Sequence, residues 1–554
     1  MGERLVTGSV TAVTGKAMSP DDLQNGRKTL FQALVDARAR FGGSRPAVVD
    51  IDDKVATYDT LLMGSLALGH ALKKGTKAGE AVGIMLPTSL GAVIALFALS
   101  AFGRVPTMLN FSTGVAAVLN ALRIAKVKRV VTSRKFVDLA KLDDMIAQIS
   151  AKAEIIYLED VKDHLSVLDK SAAAVGKFAP DFITRGTASH FAANAWAKLT
   201  RNQPDYDRPA VILFTSGTEG EPKGVALSHF NILINIEQAR THVALYPEDI
   251  MFNALPMFHC FGLNTGAILP IMVGFKTILH PTPLQPKEIS RRIRQTGATI
   301  LISTDTFLSQ YARAGDEGDL AGMRIVACGA ERVRDETRQL LRHKSAVDIL
   351  EGYGVTEAAP LAAINQPGIN HSGTIGHILP GMEARLEPVE GIPNAGRMFI
   401  RGPNVMLGYI RPDKPGEIQP PKNGWHDTGD VVHIDDDGFI SIKGRLKRFA
   451  KIGGEAVSLA VVENIASALW PEFCHAAISM PDGRKGEHIV LLTTNPDADR
   501  VDLVGWAQNH GVPELAVPKR ILHVEAIPVL GTGKIDYPTV EKIARAGTAA
   551  LPPA

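Results

Sequence analysis

The sequence predicts an α/β protein: a large N-terminal domain of layered helices and strands with a small β-barrel-like subdomain, followed by a small α+β C-terminal domain. The chain has 554 residues, which is too long for a single hydrophobic core, so at least two domains are expected. Helical and strand-like segments alternate through residues 28–205 and again after residue 211, an order typical of layers with largely parallel strands. From about residue 380 the strands become short and are separated by Gly, Pro and Asp turns, which indicates antiparallel hairpins.

Composition restricts the classes of function. Hydrophobic residues make up 45% and charged residues 21% of the chain, as in an ordinary soluble globular protein. A formal net charge of +2 gives no reason to expect binding to nucleic acid or a polybasic surface that contacts membranes. Cys260, Cys328 and Cys474 are too widely spaced for a disulfide framework or a zinc site. We therefore expect a cytoplasmic protein with three buried thiols.

No membrane anchor is predicted. The first twenty residues have no apolar region typical of a signal peptide and carry Glu3. The most apolar segment, residues 90–102, is too short for a bilayer, which needs ~20 apolar residues. Ser89 is a suitable N-cap and Gly103 a suitable stop. This segment is therefore predicted to be a buried helix.

Other elements follow from periodicity and turn residues. A single amphipathic helix is predicted over 136–150, and an irregular segment over about 165–208. Strands are predicted at residues 82–86, 127–132, 299–303, 324–328 and 347–350. The last part of the chain is predicted to contain helices at 456–469 and 501–510, the latter stopped by Gly511, and strands at 475–480 and 488–493.

The stretch VILFTSGTEGEPKGVALSH, residues 211–229, predicts a phosphate-binding site. A four-residue apolar strand opens into a loop in which glycines allow backbone N–H groups to approach an anion, while hydroxyls and a lysine supply further donors. The loop residues are Thr215, Ser216, Gly217, Thr218, Gly220, Lys223 and Gly224. The Walker pattern is absent, because no Gly-Lys-Ser/Thr triplet follows. A flexible linker would have a similar composition but would not follow a buried strand.

Five further stretches carry residues suited to chemistry. They are LPMFHCFG with His259, EGYGVTEAAP with Gly352, Tyr353, Gly354, Thr356 and Glu357, WHDTGD with Asp430, GRLKRFAKIGGE with Arg445, Lys447, Gly453 and Gly454, and IPVLGTGKID with Lys534. Taken singly, each has a simpler explanation. Tyr353 is equally a core aromatic, Asp430 a turn residue, Glu357 a surface carboxylate and Lys534 an exposed lysine.

In this order and spacing the six motifs resemble the adenylate-forming superfamily of acyl- and aryl-CoA synthetases, luciferases and peptide-synthetase adenylation domains. The resemblance covers nearly the whole chain. More narrowly, the stretches FTSGTEGEPKG, GPNVMLGYIRPDKPG, GRLKRFAKIGGEAVSLAVVE and HGVPELAVP are similar to one subfamily. That subfamily is the synthetase half of bacterial enzymes that combine acyl-[acyl-carrier-protein] synthetase with 2-acylglycerophosphoethanolamine acyltransferase.

The resemblance implies two half-reactions at one site: a carboxylate and MgATP give acyl-adenylate and pyrophosphate, and a thiol then displaces AMP. It implies that the loop residues, Lys223 included, contact the phosphates and that Thr356 contacts the α-phosphate. Glu357 would hold Mg²⁺, with Thr215 nearby. Tyr353, between Gly352 and Gly354, would stack on adenine. Asp430 and Arg445 would contact the ribose, and Lys534 would neutralise charge during adenylation.

The resemblance also implies a mobile C-terminal domain. The adenylation domain would comprise residues 1–445 and the C-terminal lid domain residues 446–554. The hinge would lie near Lys447, and Gly453 and Gly454 would face the thiol. His259 would line or gate the acyl tunnel, although a packed histidine in an aromatic shell explains it nearly as well. Further pocket candidates are Phe258, Phe261, Gly262, Leu263 and Ala330.

Two departures are informative. Glu219 stands where the family usually has a second hydroxyl, a mark shared with the narrower subfamily. Because a triphosphate would repel its carboxylate, we expect Glu219 to turn outward or to pair with a lysine. His164 and Asp169 have the His-x4-Asp spacing of an acyltransferase, but no glycerophosphate-binding stretch follows. The chain therefore resembles only the ligase half.

The preferred hypothesis is a fatty-acid ligase that uses ATP and Mg²⁺ and loads a thiol of acyl-carrier protein or of coenzyme A. The alternatives are a ligase for an aryl or short-chain acid, and an inactive lipid-binding or scaffold homologue. A separate lysophospholipid acyltransferase would be a partner, nucleic acid would not, and contact with the inner membrane would be at most peripheral.

Overall fold

A computed structural model describes residues 12–180, 205–215, 222–452, 455–482, 486–529 and 535–549. The fold is α/β, as predicted, with four sheets among these residues. The predicted residues Ser216, Gly217, Thr218, Glu219, Gly220, Gly453, Gly454 and Lys534 lie outside the described residues.

The strands, in chain order, are β1 (Ala12–Thr14), β2 (Pro46–Val49), β3 (Val55–Thr57), β4 (Ala81–Ile84), β5 (Val105–Met108), β6 (Arg129–Thr132), β7 (Glu154–Tyr157), β8 (Pro209–Thr215), β9 (Lys223–Ser228), β10 (Ile250–Asn253), β11 (Lys276–Leu279), β12 (Ile300–Ser303), β13 (Ile325–Cys328), β14 (Ile349–Gly354), β15 (Leu361–Ile364), β16 (His377–Ile378), β17 (Glu383–Val389), β18 (Ile392–Arg401), β19 (Gly408–Ile410), β20 (Ile418–Gln419), β21 (His426–Ile434), β22 (Ile440–Arg445), β23 (Phe449–Ile452), β24 (Glu455–Ser458), β25 (His475–Asp482), β26 (Gly486–Thr493) and β27 (Arg520–His523).

The α-helices are α1 (Pro20–Gly26), α2 (Leu30–Phe41), α3 (Tyr58–Leu72), α4 (Leu90–Ala101), α5 (Val115–Ile124), α6 (Arg134–Ala140), α7 (Asp143–Ser150), α8 (Leu158–Asp163), α9 (Val167–Gly176), α10 (His229–His242), α11 (Leu269–Val273), α12 (Pro286–Thr296), α13 (Asp305–Ala314), α14 (Asp335–Ser345), α15 (Leu459–Leu469), α16 (Arg500–Asn509) and α17 (Tyr537–Ala549). A π-helix spans Phe261–Ile268, and 3₁₀ turns include Thr356–Ala358 and Leu446–Arg448.

The chain divides into two compact units. The larger contains residues 14–382 and 401–426, and the smaller contains the described residues of 1–13, 383–400 and 427–554. Strands β17, β18, β21 and β22 therefore group with the C-terminal residues. The predicted domain boundary at residue 445 stays a prediction.

Two mixed sheets form the larger unit. The nine-stranded sheet has the order β16-β15-β14-β13-β12-β10-β11-β2-β3, and its six strands from β14 to β2 are parallel. The eight-stranded sheet has the order β20-β19-β9-β8-β5-β4-β6-β7, in which β8 to β7 are parallel. The largely parallel pairing predicted from the alternation of elements is confirmed, with antiparallel strands at the edges.

The smaller unit contains two sheets. One has the order β1-β17-β18-β21-β22, with β21 and β22 antiparallel. The other has the order β24-β23-β26-β25, and β27 joins β26 in parallel. Helices α15 and α16 pack with this second sheet around Val462, Leu491 and Leu503, all fully buried.

Helix α4 lies in the core of the larger unit, as its sequence predicts. The Ser89 hydroxyl accepts a hydrogen bond from the Ala92 N–H at 3.3 Å, and Gly103 adopts a positive φ of 70° beyond the helix end. All residues from Ala92 to Ala101 except Ile94 are buried. Helix α3 packs closely because Gly69 has no side chain: a Cβ there would lie 2.5 Å from the Ala98 carbonyl oxygen. Each large apolar side chain buried in this way contributes roughly 1.5–3 kcal/mol.

Three predicted elements are wrong in part. The single helix over 136–150 is two helices, because Lys141 takes the left-handed conformation (φ 54°) and ends α6. The segment over 165–208, predicted to be irregular, contains α9. Ser166 and Asp169 form a reciprocal capping box at its start. The helix predicted from residue 456 begins at Leu459, since Glu455–Ser458 pairs with Phe449–Ile452 as a hairpin.

The first residue of α10 makes the larger unit sensitive to acid. His229 is buried, and its Nδ1 accepts a hydrogen bond from the Leu30 N–H at 3.1 Å. Burial lowers the pKa of His229 from 6.5 to about 3. Because the folded pKa lies below the unfolded one, the contribution of His229 is present above pH 6.5 and is lost as the pH falls toward 3.

We expect this one group to lower the free energy of unfolding by ~2 kcal/mol between pH 7 and pH 5. The measurement is urea denaturation at both pH values, compared with His229→Asn, which keeps an acceptor and does not titrate. The wild type should lose more stability over this interval than the variant. Equal losses would contradict the assignment.

Candidate active site

The predicted phosphate loop joins two antiparallel strands. Thr215, the last residue of β8, pairs with Lys223, the first residue of β9, so the backbone ends of the loop are held together. Both side chains are half-buried. The intervening predicted phosphate ligands lie outside the described residues, so the structure places only the two ends of the loop.

Glu357 follows the carboxyl end of β14, in the 3₁₀ turn Thr356–Ala358, and is 9% exposed. One of its oxygens, Oε1, accepts a hydrogen bond from the Tyr409 hydroxyl at 2.5 Å. Its backbone carbonyl accepts from the Met406 N–H at 2.8 Å. A carboxylate fixed in this way is a suitable Mg²⁺ ligand, because Mg²⁺ commonly takes one or two protein carboxylates and completes its octahedron with waters and substrate phosphates.

Lys223 and Glu357 lie on either side of one tyrosine. The Lys223 ammonium lies 5.6 Å from the centroid of the Tyr409 ring, within the range of a cation–π contact. The structure thus brings together the predicted phosphate-binding lysine and the predicted metal-binding carboxylate. Thr215 joins this cluster through its pairing with Lys223.

Tyr409 was missed as a site residue by the sequence analysis, although it belongs to the stretch GPNVMLGYIRPDKPG. The available signal is the Gly408-Tyr409 pair. A Cβ at Gly408 would lie 2.2 Å from the Gln419 carbonyl oxygen, so only glycine fits between β19 and β20.

The residues before Glu357 continue strand β14. Tyr353 is 6% exposed and pairs with Ala363, with a bulge between Tyr353 and Gly354. A Cβ at Gly354 would lie 2.6 Å from the Pro360 carbonyl oxygen, and one at Gly352 would lie 3.2 Å from Ile364. The stacking role of Tyr353 stays a prediction, since its burial also suits a core aromatic.

The smaller unit holds the predicted ribose ligands. Asp430 and Arg445 face each other across β21 and β22, and Arg445 Nε lies 3.0 Å from Asp430 Oδ1. The Asp430 side chain is buried, and that of Arg445 is half-exposed. The Asp430 backbone N–H donates to the Thr428 hydroxyl at 3.1 Å. Lys447, the predicted hinge, is exposed in the following 3₁₀ turn.

His259 is half-buried beside an aromatic cluster. Its ring lies 4.8 Å from that of Phe258, which in turn lies 5.0 Å from Phe111. The chain then enters the π-helix, a rare form that often occurs at functional sites. Gly262 is required there, because a Cβ would lie 2.5 Å from the Pro256 carbonyl oxygen.

Other candidates for the pocket occupy the same region or the end of β13. Leu263 is buried in the π-helix, and the Phe261 ring lies 3.6 Å from the Cβ position of Gly329. Ala330, the next residue, has a positive φ of 71° and is exposed. Their role as an acyl pocket stays a prediction.

The His164–Asp169 pair does not form a catalytic dyad. Asp169 caps α9 and accepts from Ser166, while its carboxylate also contacts His70 Nδ1 at 2.6 Å and Lys74 Nζ. His164 Nδ1 contacts the Asp160 carbonyl oxygen instead. Asp169 therefore fixes α9 to α3.

Two thiols are buried and one is not. Cys260 and Cys328 are buried, and burial raises the pKa of both, which makes a nucleophilic role for Cys260 unfavourable. The expectation of three buried thiols is wrong, because Cys474 is exposed in the turn before β25.

We expect one thiol of the native protein, Cys474, to react rapidly with 5,5′-dithiobis(2-nitrobenzoate). The reason is that thiolate access controls this exchange. Absorbance of the released product measures the number of reactive thiols. Cys474→Ser should abolish the rapid phase and leave two thiols after denaturation. A rapid phase that persists in this variant would contradict the burial of Cys260 and Cys328.

Residues 35–410 match the family described as AMP-binding enzyme. The chain belongs to this family. The resemblance to adenylate-forming enzymes is thereby confirmed at the level of the family.

Relatives of this AMP-binding enzyme span almost its whole length. The chain is 28% identical over 541 residues to the long-chain-fatty-acid–CoA ligase of Salmonella typhimurium. The alignment covers 91% of this chain and 93% of the relative. ATP-bound MatB from Rhodopseudomonas palustris has the same fold, with a TM-score of 0.76 and 23% identity over 94% of this chain and 99% of its own. The anthranilate CoA ligase AuaEII, solved with anthranoyl-AMP, gives a TM-score of 0.77 and 21% identity over 96% of this chain and 100% of its own.

Within the described part of the chain, no helix has both the length and the apolar character needed to cross a bilayer.

Proposed function

We propose that this chain is an AMP-forming acid–thiol ligase that activates a fatty acid with ATP and transfers the acyl group to a thiol. The observation that carries the proposal is the cluster of Lys223 and Glu357 around Tyr409, at the end of the hairpin that bears the predicted phosphate loop. Membership of the AMP-binding family supports the use of ATP. The alignment with a long-chain-fatty-acid–CoA ligase supports a fatty acid.

In the first step a carboxylate oxygen of the acid bonds to the α-phosphorus of ATP, and the bond from that phosphorus to pyrophosphate breaks. The step depends mainly on positioning and charge neutralisation. Lys223, together with the loop hydroxyls and N–H groups, holds the β- and γ-phosphates, and Thr356 contacts the α-phosphate. Glu357 would hold Mg²⁺, which would neutralise phosphate charge when bound. Lys534 bridges the carboxylate and the α-phosphate.

The nucleoside is bound by other residues. Tyr353, flanked by Gly352 and Gly354, stacks on adenine, and Asp430 accepts from both ribose hydroxyls. The ion pair of Asp430 with Arg445 supports this assignment, since it holds the buried carboxylate in a fixed position. His259 and the aromatic residues beside it line the acyl site.

In the second step a thiol attacks the acyl carbon, the bond from that carbon to the AMP oxygen breaks, and AMP leaves. We propose that the chain from residue 446 onward moves about Lys447 between the two steps. This movement exchanges Lys534 for the face around Gly453 and Gly454. The exposure of Lys447 in the 3₁₀ turn Leu446–Arg448 supports a hinge there.

The thiol that accepts the acyl group belongs either to an acyl-carrier protein or to coenzyme A. The motifs shared with acyl-[acyl-carrier-protein] synthetases favour the phosphopantetheine of a carrier protein, and the named relatives favour coenzyme A. With a carrier-protein acceptor, a separate lysophospholipid acyltransferase would use the product. We place the protein in the cytoplasm, with at most peripheral contact with the inner membrane.

Two other functions are an aryl-acid ligase and an inactive lipid-binding homologue, and testing several acids as substrates distinguishes them from a fatty-acid ligase. A structural relative named for anthranilate favours an aryl-acid ligase. An inactive lipid-binding homologue is disfavoured, because Thr215, Lys223, Glu357, Asp430 and Arg445 keep the residue types that the reaction needs.

We expect pyrophosphate release with palmitate and much less with anthranilate, acetate or no acid, because the site is proposed to take a long apolar chain. An enzyme-coupled pyrophosphate assay measures this, and thioester formation with coenzyme A or purified acyl-carrier protein then identifies the acceptor. Release with the aryl acid alone would favour the second function. No release with any acid would favour the inactive homologue.

We expect Lys534→Ala to lower carboxylate-dependent ATP–pyrophosphate exchange by 10²–10³-fold or more. Loss of one preorganised donor for developing charge costs ~2.7–4 kcal/mol. Thioester formation from supplied acyl-adenylate should be spared. Lys542→Ala, which removes an exposed lysine from α17 in the same unit, is the matched control. Unchanged exchange in Lys534→Ala would show that Lys534 is misassigned.

A further inference from the structure

Tyr409 occupies a fixed place beside both predicted nucleotide ligands. Strand β19 lies between β9 and β20, and Tyr409 pairs with Val225 on one side and with Gln419 on the other. Lys223 is two residues from Val225, so its side chain is on the same face as Tyr409 and diagonal to it. Aromatic and long side chains at such diagonal positions can touch.

The two ends of the tyrosine side chain contact opposite charges. The hydroxyl donates to Glu357 Oε1 at 2.5 Å, and the ring lies 5.6 Å from the Lys223 ammonium. The Arg411 guanidinium carbon also lies 5.1 Å from the ring centroid, and the His426 ring packs edge-on at 6.2 Å. These contacts restrict the rotation of the ring from several sides.

Tyr409 thus contacts a predicted phosphate ligand with its ring and a predicted metal ligand with its hydroxyl. A direct ion pair between Lys223 and Glu357 would occupy the donor and the acceptor that phosphate and metal require. A phenol instead gives the carboxylate one neutral hydrogen-bond donor, and it gives the ammonium the negative face of an aromatic ring. Each group thus has its own contact on Tyr409.

We propose that Tyr409 is a positioning residue of the nucleotide site. Its hydroxyl orients Glu357 toward Mg²⁺, and its ring orients Lys223 toward the phosphates of ATP. This inference rests on the proposed function. It assigns to the nucleotide site a further residue, Tyr409, which lies 52 positions in sequence from the carboxylate that it orients.

The hydroxyl and the ring can be tested separately. Tyr409→Phe removes only the donor to Glu357, and Tyr409→Leu also removes the ring face beside Lys223. Partners that orient a metal ligand typically change metal affinity by about 10–100-fold when removed. We therefore expect Tyr409→Phe to weaken Mn²⁺ binding by about 10-fold or more in the presence of a non-hydrolysable ATP analogue.

Two assays report the result. Electron paramagnetic resonance of free Mn²⁺ gives metal affinity without turnover, and pyrophosphate exchange at several Mg²⁺ concentrations gives KM for ATP and kcat. In Tyr409→Phe, saturating Mg²⁺ should restore exchange with a near-normal KM for ATP. In Tyr409→Leu, KM for ATP should stay raised at saturating Mg²⁺, because Lys223 has lost its contact.

Tyr58→Phe is the matched control. The Tyr58 hydroxyl donates to the Ile271 carbonyl oxygen at 2.6 Å in the same unit, so this variant also loses one buried hydrogen bond. It should bind Mn²⁺ like the wild type, even with a comparable loss of melting temperature. A Tyr409→Phe protein that binds Mn²⁺ as this control does would overturn the role of Tyr409. So would a loss of exchange that added Mg²⁺ fails to restore.

The binding assay also separates this inference from the proposed function, since it needs no acid or thiol. A wild-type protein that binds no Mn²⁺ with the ATP analogue would overturn the proposed function, and the role of Tyr409 with it. A wild type that binds, together with a Tyr409→Phe variant that binds equally well, would overturn the role of Tyr409 alone.

Discussion

The register between three strands is the constraint on which the candidate site depends. Thr215 pairs with Lys223, and Val225 on the same strand pairs with Tyr409. A shift of one residue in either pairing would turn alternate side chains to the opposite face of the sheet. Lys223 would then lose the ring beside it, and Glu357 would lose its hydroxyl donor. The parallel strands β5, β4, β6 and β7 continue the same sheet on the other side of β8.

Burial gives the polar contacts of this site their strength. Glu357 and Asp430 are both nearly inaccessible to solvent, yet each carboxylate has a specific partner: a hydroxyl for Glu357 and a guanidinium for Asp430. An unpartnered carboxylate in such surroundings would be strongly destabilised. Each of the two units thus contains a buried carboxylate with a specific partner.

The sequence predicts most of the fold because its signals are local. The apolar run before Thr215 and the Ser89 cap of α4 both depend on neighbours within a few residues, and both predictions are confirmed. The start of α9 was missed even though its capping box, Ser166 to Asp169, is also a local signal. The break at Lys141 has no comparable signal, because a lysine there takes the left-handed conformation that glycine usually takes at a helix end.

The candidate site is predictable only in part, for a physical reason. Motifs identify Lys223, Glu357 and Asp430 by residue type and order, but not the side chains that hold them. Tyr409 reaches Glu357 only through strand pairing between distant segments, and its Gly-Tyr pair says nothing by itself of a carboxylate. The exposure of Cys474 depends likewise on the packing of a whole sheet.

Helix α4 has a consequence for the synthesis of the chain. On a ribosome-bound chain, a helix that is apolar on almost all sides exposes hydrophobic surface and could aggregate with another nascent polypeptide. Its neighbours α2 and α3 come earlier in the chain, separated from it only by short strands and loops, and β5 follows it. Helices α2 and α3 are therefore already synthesised as α4 emerges, so this apolar segment can be covered long before translation ends.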